Sequence, residues 1–222
     1  MKDPYVNPSN VLTNKLGIDD YDLLNQAEAD IGFVKLINVD GVAVDYFDEE
    51  MLKKLHKHIF EDIFEWAGEY RIVPLIKEEF VIPGVSLPYT RYQDISRELH
   101  SKLIEFNSIA WHKLPPEELA YTFARKLALI WLIHPFRDGN TRTILSFAYI
   151  YAKEHGFPFD MKVFTDNLSR KYEGEKLVDL NVRDKFVLAS LDEENMPDVS
   201  LLAEVFEKAM DSYCKEESIR SK

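Results

Sequence analysis

His134-Pro-Phe-Arg-Asp-Gly-Asn-Thr-Arg142 sits between the most apolar run of the chain, Leu127-Ala-Leu-Ile-Trp-Leu-Ile133, and a second helical pattern carried by Ile144, Phe147, Ala148 and Tyr151. The spacing predicts a helix–loop–helix with polar residues held between two buried helices. Pro135 ends the first helix, because the residue before a proline disfavours the α region. Gly139 and Asn140 tolerate positive φ and can turn their amides outward. The second helix begins at about Asn140, so its unpaired N–H groups and positive dipole end meet the same space. Arg142 in that first turn suits the helix dipole poorly and a phosphate well. Asp138 in a cationic loop suits Mg²⁺ bridging phosphate oxygens. His134 can accept a proton near neutral pH, and Phe136 plugs the loop into the core. Taken by spacing alone, the same letters also describe a capping histidine followed by an Asp-Gly-Asn turn.

Outward from the loop the chain reads as helical. Asp19 and Asp20 can cap a helix over about 20–37 with Leu23, Leu24, Ala27 and Ile31 on one face. Asp48 opens a pattern of Leu52, Leu55, Ile59, Ile63 and Trp66 that Gly68 stops, and His56 and His58 on it read as solvated or core-edge residues. Residues 71–89 change character. Val73, Ile76, Phe80, Val81 and Ile82 favour strands while Pro74, Pro83-Gly84 and Pro88 punctuate them, which predicts a short hairpin. Helices over about 91–107 and from Pro115-Pro116 to Ile133 follow, and Gly156 closes the helix after the loop. Asp160 or Thr165 can cap a short helix, and Leu201, Leu202, Val205, Phe206, Ala209 and Met210 set a terminal helix over about 198–216.

The 222 residues suffice for one full core, and a net charge of −12 argues against unspecific nucleic-acid binding. A nucleotide remains compatible, since a local arginine and a helix terminus outweigh a distant field. A lone Cys214 leaves no internal disulfide or zinc cluster. No segment reads as a signal peptide or a membrane span, so the expected setting is the cytoplasm, with no membrane partner.

The loop resembles the signature of the Fic family, His-x-Phe-x-Asp/Glu-Gly-Asn-Gly/Lys-Arg-x-x-Arg. His134, Phe136, Asp138, Gly139, Asn140 and Arg142 match it. Asp3-Pro-Tyr5, Leu12-Thr-Asn-Lys-Leu-Gly-Ile18, Ile59-Phe-Glu-Asp-Ile-Phe-Glu-Trp-Ala-Gly68 and Arg183-Asp-Lys-Phe-Val-Leu-Ala-Ser190 are similar to bacterial Fic AMP-transferases. Thr141 departs from the usual Gly or Lys, and Leu145 stands where AMP-transferring members carry a second arginine for the γ-phosphate. The resemblance implies an all-α Fic bundle with a β-hairpin flap at about 71–89. It divides the chain into an N-terminal segment and helix (1–40), the Fic domain (41–190) and a C-terminal helix (191–222).

The implied reaction is Mg²⁺-dependent transfer of AMP from ATP to a Ser, Thr or Tyr hydroxyl of a target protein, itself included. His134 is then the base, Asp138 the metal ligand, and Lys77, Gly139, Asn140, Thr141 and Arg142 the nucleotide contacts. The flap would hold an extended target segment by strand pairing. Ser212 and Glu216 are similar to the family's inhibitory Ser/Thr-x-x-x-Glu motif, although Glu217 and Leu145 depart from it. An antitoxin or self-association is an implied partner. Two other readings stay open: a Doc-like kinase that passes on the γ-phosphate, and a catalytically silent interaction protein that keeps the fold.

Overall fold

The computed structural model describes residues 3–43, 45–157, 159–192 and 196–220; the side chains of Pro116, Glu117 and residues 211–220 fall outside that description. It is an all-α bundle with one small antiparallel hairpin. The helices are α1 (Tyr21–Ile37), α2 (Glu49–Phe60), α3 (Ile95–Asn107), α4 (Pro116–Ile133), α5 (Asn140–Glu154), α6 (Lys162–Thr165), α7 (Val182–Ser190) and α8 (Ser200–Arg220). Their starts follow capping chemistry. The Asp20 carboxylate accepts from the Leu23 amide at 2.9 Å and Asp48 from the Met51 amide at 3.1 Å. Asn181 does the same for Asp184 at 2.8 Å, and α4 has proline in its first turn.

α4 is the central rod. Phe123, Ala124, Leu127, Ala128 and Trp131 are buried on it, and α3, α7 and α8 pack around them. α8 contributes Leu202, Val205, Phe206 and Ala209, and the Phe206 ring touches Phe123, Phe159 and Phe164. A smaller cluster joins α1 to α2 through Leu24, Leu36, Ile59, Phe60, Ile63 and Phe64, and Val11 of the N-terminal segment joins it. The buried stripe of α1 is Leu24, Glu28, Gly32 and Leu36; Leu23, expected on it, is exposed.

Two local expectations need correction. α2 ends at Phe60 rather than at Gly68, because the Gly68 amide donates to His56 Nδ1 at 2.8 Å and draws residues 61–68 back across the helix. Residues 71–89 double back without a strand ladder. Pro74, Pro83 and Pro88 remove backbone donors there, and the two limbs are joined by Lys77 N–H on Ser86 Oγ at 3.3 Å and Tyr89 O–H on Glu79 at 2.5 Å. The hairpin that does form is β1 (Lys171–Glu173) with β2 (Lys176–Asp179), turning at Gly174. Its charged strands give no apolar alternation to read. Ser212 and Glu216 lie on α8, but their side chains are outside the described residues.

Candidate active site

The loop between α4 and α5 is built from the inside out. His134 takes a left-handed conformation, φ 51° and ψ 59°, which ends α4 and points the chain sideways. Gly139 is left-handed as well, at φ 76°, and a Cβ there would sit 2.2 Å from the Phe60 ring. Both conformation and space therefore demand glycine. The loop's carbonyls are taken up by the protein. Arg71 Nε–H donates to His134 O at 2.8 Å, and the Arg71 amide donates to Pro135 O at 2.9 Å. The Asn140 side chain closes the turn on itself, accepting from Phe136 N–H and donating to Phe136 O, both at 2.9 Å. Thr143 Oγ–H donates to Gly139 O at 3.0 Å. The carbonyls turn inward, and the first-turn amides of Asn140, Thr141 and Arg142 are left for whatever fills the adjoining space.

His56 is a correction to the sequence reading. It is fully buried, stacked on Phe136 at 3.9 Å, and its Nδ1 accepts from Gly68 N–H. Nε2 must then carry the proton, and it donates to Asp138 O at 3.1 Å. Burial pushes its pKa down to about 3, so it is a neutral strut under the loop. Arg71 is a second strut, buried with no carboxylate partner among the described residues and bonded instead to the carbonyls of Val73, Thr90, Ile133 and His134. Cation against carbonyls at the end of α4 also answers the helix dipole. Neither residue announces itself in the sequence, because the loop carbonyls they brace lie 63 and 82 positions away.

A cavity of about 550 Å³ opens beside the loop and brings together the predicted residues His134, Asp138, Gly139, Asn140, Thr141, Arg142 and Lys77. His134 is 2 % exposed, packed on the Tyr89 ring at 4.2 Å and edge-on to Trp131 at 4.8 Å. Its Nδ1 lies 3.2 Å from the Trp131 carbonyl, which can only accept, so Nδ1 carries the hydrogen and Nε2 is the free acceptor. Burial, then the charges of Lys77 and Arg183, hold its pKa well below the usual histidine value, so the ring is neutral at pH 7. Burial would raise the Asp138 carboxyl, but Lys77, Arg142 and the Gly139 amide at 2.6 Å outweigh it and keep it ionised. Burial lowers Lys77, with Asp138 opposing.

Thr141 has a reason to differ from glycine: its hydroxyl accepts the Trp131 indole N–H at 3.0 Å. Leu145 is buried in the core, so α5 offers the cavity a single cation. That cation, Arg142, is engaged. It donates to the Glu28 carboxylate at 2.8 Å and the Glu28 carbonyl at 3.0 Å, and lies over the Phe60 ring at 4.4 Å. Gly32 makes room for it; a Cβ there would come within 2.9 Å of the guanidinium. Glu28 was missed at the sequence level, although an acidic residue four positions after Leu24 on an apolar stripe is the signal to look for.

Comparison with known proteins decides the family. The sequence profile described as Fic/DOC family matches residues 46–152. A Sinorhizobium fredii protein named probable protein adenylyltransferase y4lH is 30% identical over 192 residues, which are 79% of this chain and 91% of that protein. The chain belongs to the Fic/DOC family. Protein adenylyltransferase VbhT of Bartonella schoenbuchensis is 29% identical over 71% of this Fic chain, which spans 32% of that longer relative. Among solved structures, the FIC domain of the Bartonella effector Bep8 from Bartonella sp. 1-1C superposes with a TM-score of 0.71 at 23% identity, covering 93% of this chain and 94% of that one. BepC from Bartonella tribocorum, solved with bound AMPPNP, gives 0.69 at 20%, covering 92% and 95%. These likenesses bear on the fold. No helix among the described residues is long and apolar enough to cross a membrane.

Proposed function

We propose that this chain is a protein adenylyltransferase that moves AMP from ATP to a hydroxyl side chain of a protein. The observation that carries the reading is a neutral His134, with Nδ1–H fixed on Trp131 O and Nε2 free, beside outward amides in one cavity. A Ser, Thr or Tyr oxygen attacks the α-phosphorus and its proton passes to His134 Nε2. The bond from phosphorus to the β-bridging oxygen breaks, and pyrophosphate leaves with the electron pair. The amides of Asn140, Thr141 and Arg142 would meet the charge that develops on the phosphate, the Gly139 amide being held by Asp138, and Lys77 adds a cation. Relatives named protein adenylyltransferase support the same chemistry.

No group of three or more His, Cys, Asp or Glu among the described residues forms a metal cage. Asp138 is nevertheless an ionised carboxylate on the cavity wall, and Mg²⁺ is commonly held by one or two carboxylates plus substrate phosphates. Asp138 would hold Mg²⁺, which when bound neutralises phosphate oxygens. The unpaired limbs of residues 71–89 would receive an extended target segment, aligning its hydroxyl through main-chain bonds.

Parallel incubations of the chain, Mg²⁺ and lysate with α-labelled and γ-labelled ATP test the reading. Label on protein from the α position is expected. Label from γ alone would establish the kinase reading instead, which the burial of Leu145 favours by denying the γ-phosphate a second arginine on α5. Transfer of neither label would leave a silent interaction protein.

A further inference from the structure

We propose that Arg183, on α7, is a phosphate-binding residue of this cavity, a second cation that meets the nucleotide from a wall separate from Arg142. The inference rests on the nucleotide reading above. Arg183 lines the cavity with Lys77, His134, Asp138 and the loop, and its side chain is 32% exposed. Glu79, 1% exposed, anchors it through two bonds, NH1 to Oε2 at 3.0 Å and NH2 to Oε1 at 2.8 Å. A guanidinium carries five N–H donors; Glu79 takes two and the Tyr89 hydroxyl is placed to accept a third, so two remain as a surplus.

An ion pair kept for stability alone would not need that surplus at the cavity wall. The Arg183 group is also held still. Glu79 Oε1 takes the Tyr89 hydroxyl at 2.5 Å, and the Tyr89 ring packs on His134 at 4.2 Å. The donors are thus fixed in register with the base before any ligand arrives, which removes the entropy that a free arginine loses on binding. The other cations near the loop are differently placed. Arg142 gives its terminal nitrogens to Glu28, and Arg137 gives Nε and NH2 to Asp3. Arg183 is bound to its carboxylate in the same way but is the most exposed of the three, 32% against 19% for Arg142 and 18% for Arg137. With Leu145 buried, it and Lys77 are the cations a triphosphate in this cavity would reach.

Calorimetric titration of the full chain and of Arg183→Gln and Arg183→Lys with Mg-ATP and with adenosine tests this. Arg183→Gln is expected to weaken Mg-ATP about 10- to 100-fold, the range of one or two charge-assisted bonds, and to leave adenosine affinity unchanged. Arg183→Lys should recover part of the loss. Equal weakening of both ligands would show a purely structural role and overturn the proposal, as would unchanged Mg-ATP affinity. Should Arg183→Gln fail to fold, the same comparison on Arg183→Lys decides. A wild-type chain that binds no Mg-ATP overturns the nucleotide reading itself, and this proposal with it.

Discussion

At the scale of single residues, the site depends on side chains whose surroundings fix one protonation state or one conformation. His134→Ala is expected to lower AMP transfer by about 10²- to 10⁴-fold, the usual span of a positioned base. The variant also loses a buried ring and its bond to the Trp131 carbonyl, so its melting temperature should fall while far-ultraviolet dichroism shows the helices retained. Labelled-ATP assays read the loss, and undiminished transfer would remove His134 from the mechanism. Gly139→Ala must hold a left-handed alanine and displace the Phe60 ring. A loss of about 2–4 kcal/mol is expected in urea unfolding. His56 gives a pH dependence. Its pKa is about 3 when folded and near 6.5 when unfolded, so between those values the unfolded chain binds a proton that the native chain refuses. Its contribution to stability is complete above about pH 6.5 and falls by about 1.4 kcal/mol per unit as pH drops below that. Urea midpoints of wild type and His56→Gln at pH 7 and pH 5 should differ in slope, and identical slopes would exclude a buried neutral His56.

At the scale of elements, α1 governs the availability of α5's cation. Glu28 holds Arg142, while burial and then the Asp138 charge raise the Glu28 pKa, so the carboxylate sits at a cost on the cavity wall. Glu28→Ala is expected to tighten Mg-ATP binding about 10-fold in calorimetry, since one charge-assisted bond no longer competes. Weaker binding would instead show that Glu28 aims Arg142 at the ligand. The helices themselves were legible. Leu52, Leu55 and Ile59 recur at helical spacing, and Asp20 and Asp48 stand at caps that the structure confirms. The turn after Phe60 was not, because Ile63 and Trp66 continue the period while the Gly68–His56 bond breaks the helix. The limbs of 71–89 misled in the same way. β-prone side chains state a preference, and three prolines deny it the ladder.

At the scale of the whole molecule, the loop depends on the packing of the helix that delivers it. α4 ends at His134, and its other flank is covered by α8 through Leu202, Val205, Phe206 and Ala209. Phe206→Ala should cost about 3–5 kcal/mol, measured by thermal or urea unfolding, as an aromatic ring removed from a packed core does. One transition is expected with the site lost at the same midpoint, because Phe206 and Trp131 belong to a single continuous core. A variant that melts α8 first and keeps nucleotide binding would show the terminal helix to be separable.

The helix–loop–helix and the grouping of His134, Asp138, Gly139, Asn140 and Arg142 in it were determined by the sequence alone, through spacing and local backbone chemistry within nine residues, and the all-α class came with the family resemblance. The tertiary structure decided how those groups are held: Arg71 and His56 under the loop, Tyr89 against the histidine, Glu28 on Arg142, Glu79 on Arg183. Those partners lie from 45 positions (Tyr89 to His134) to 114 positions (Glu28 to Arg142) apart along the chain. Periodicity carries no information over such separations; only packing brings the charges and rings close enough to interact.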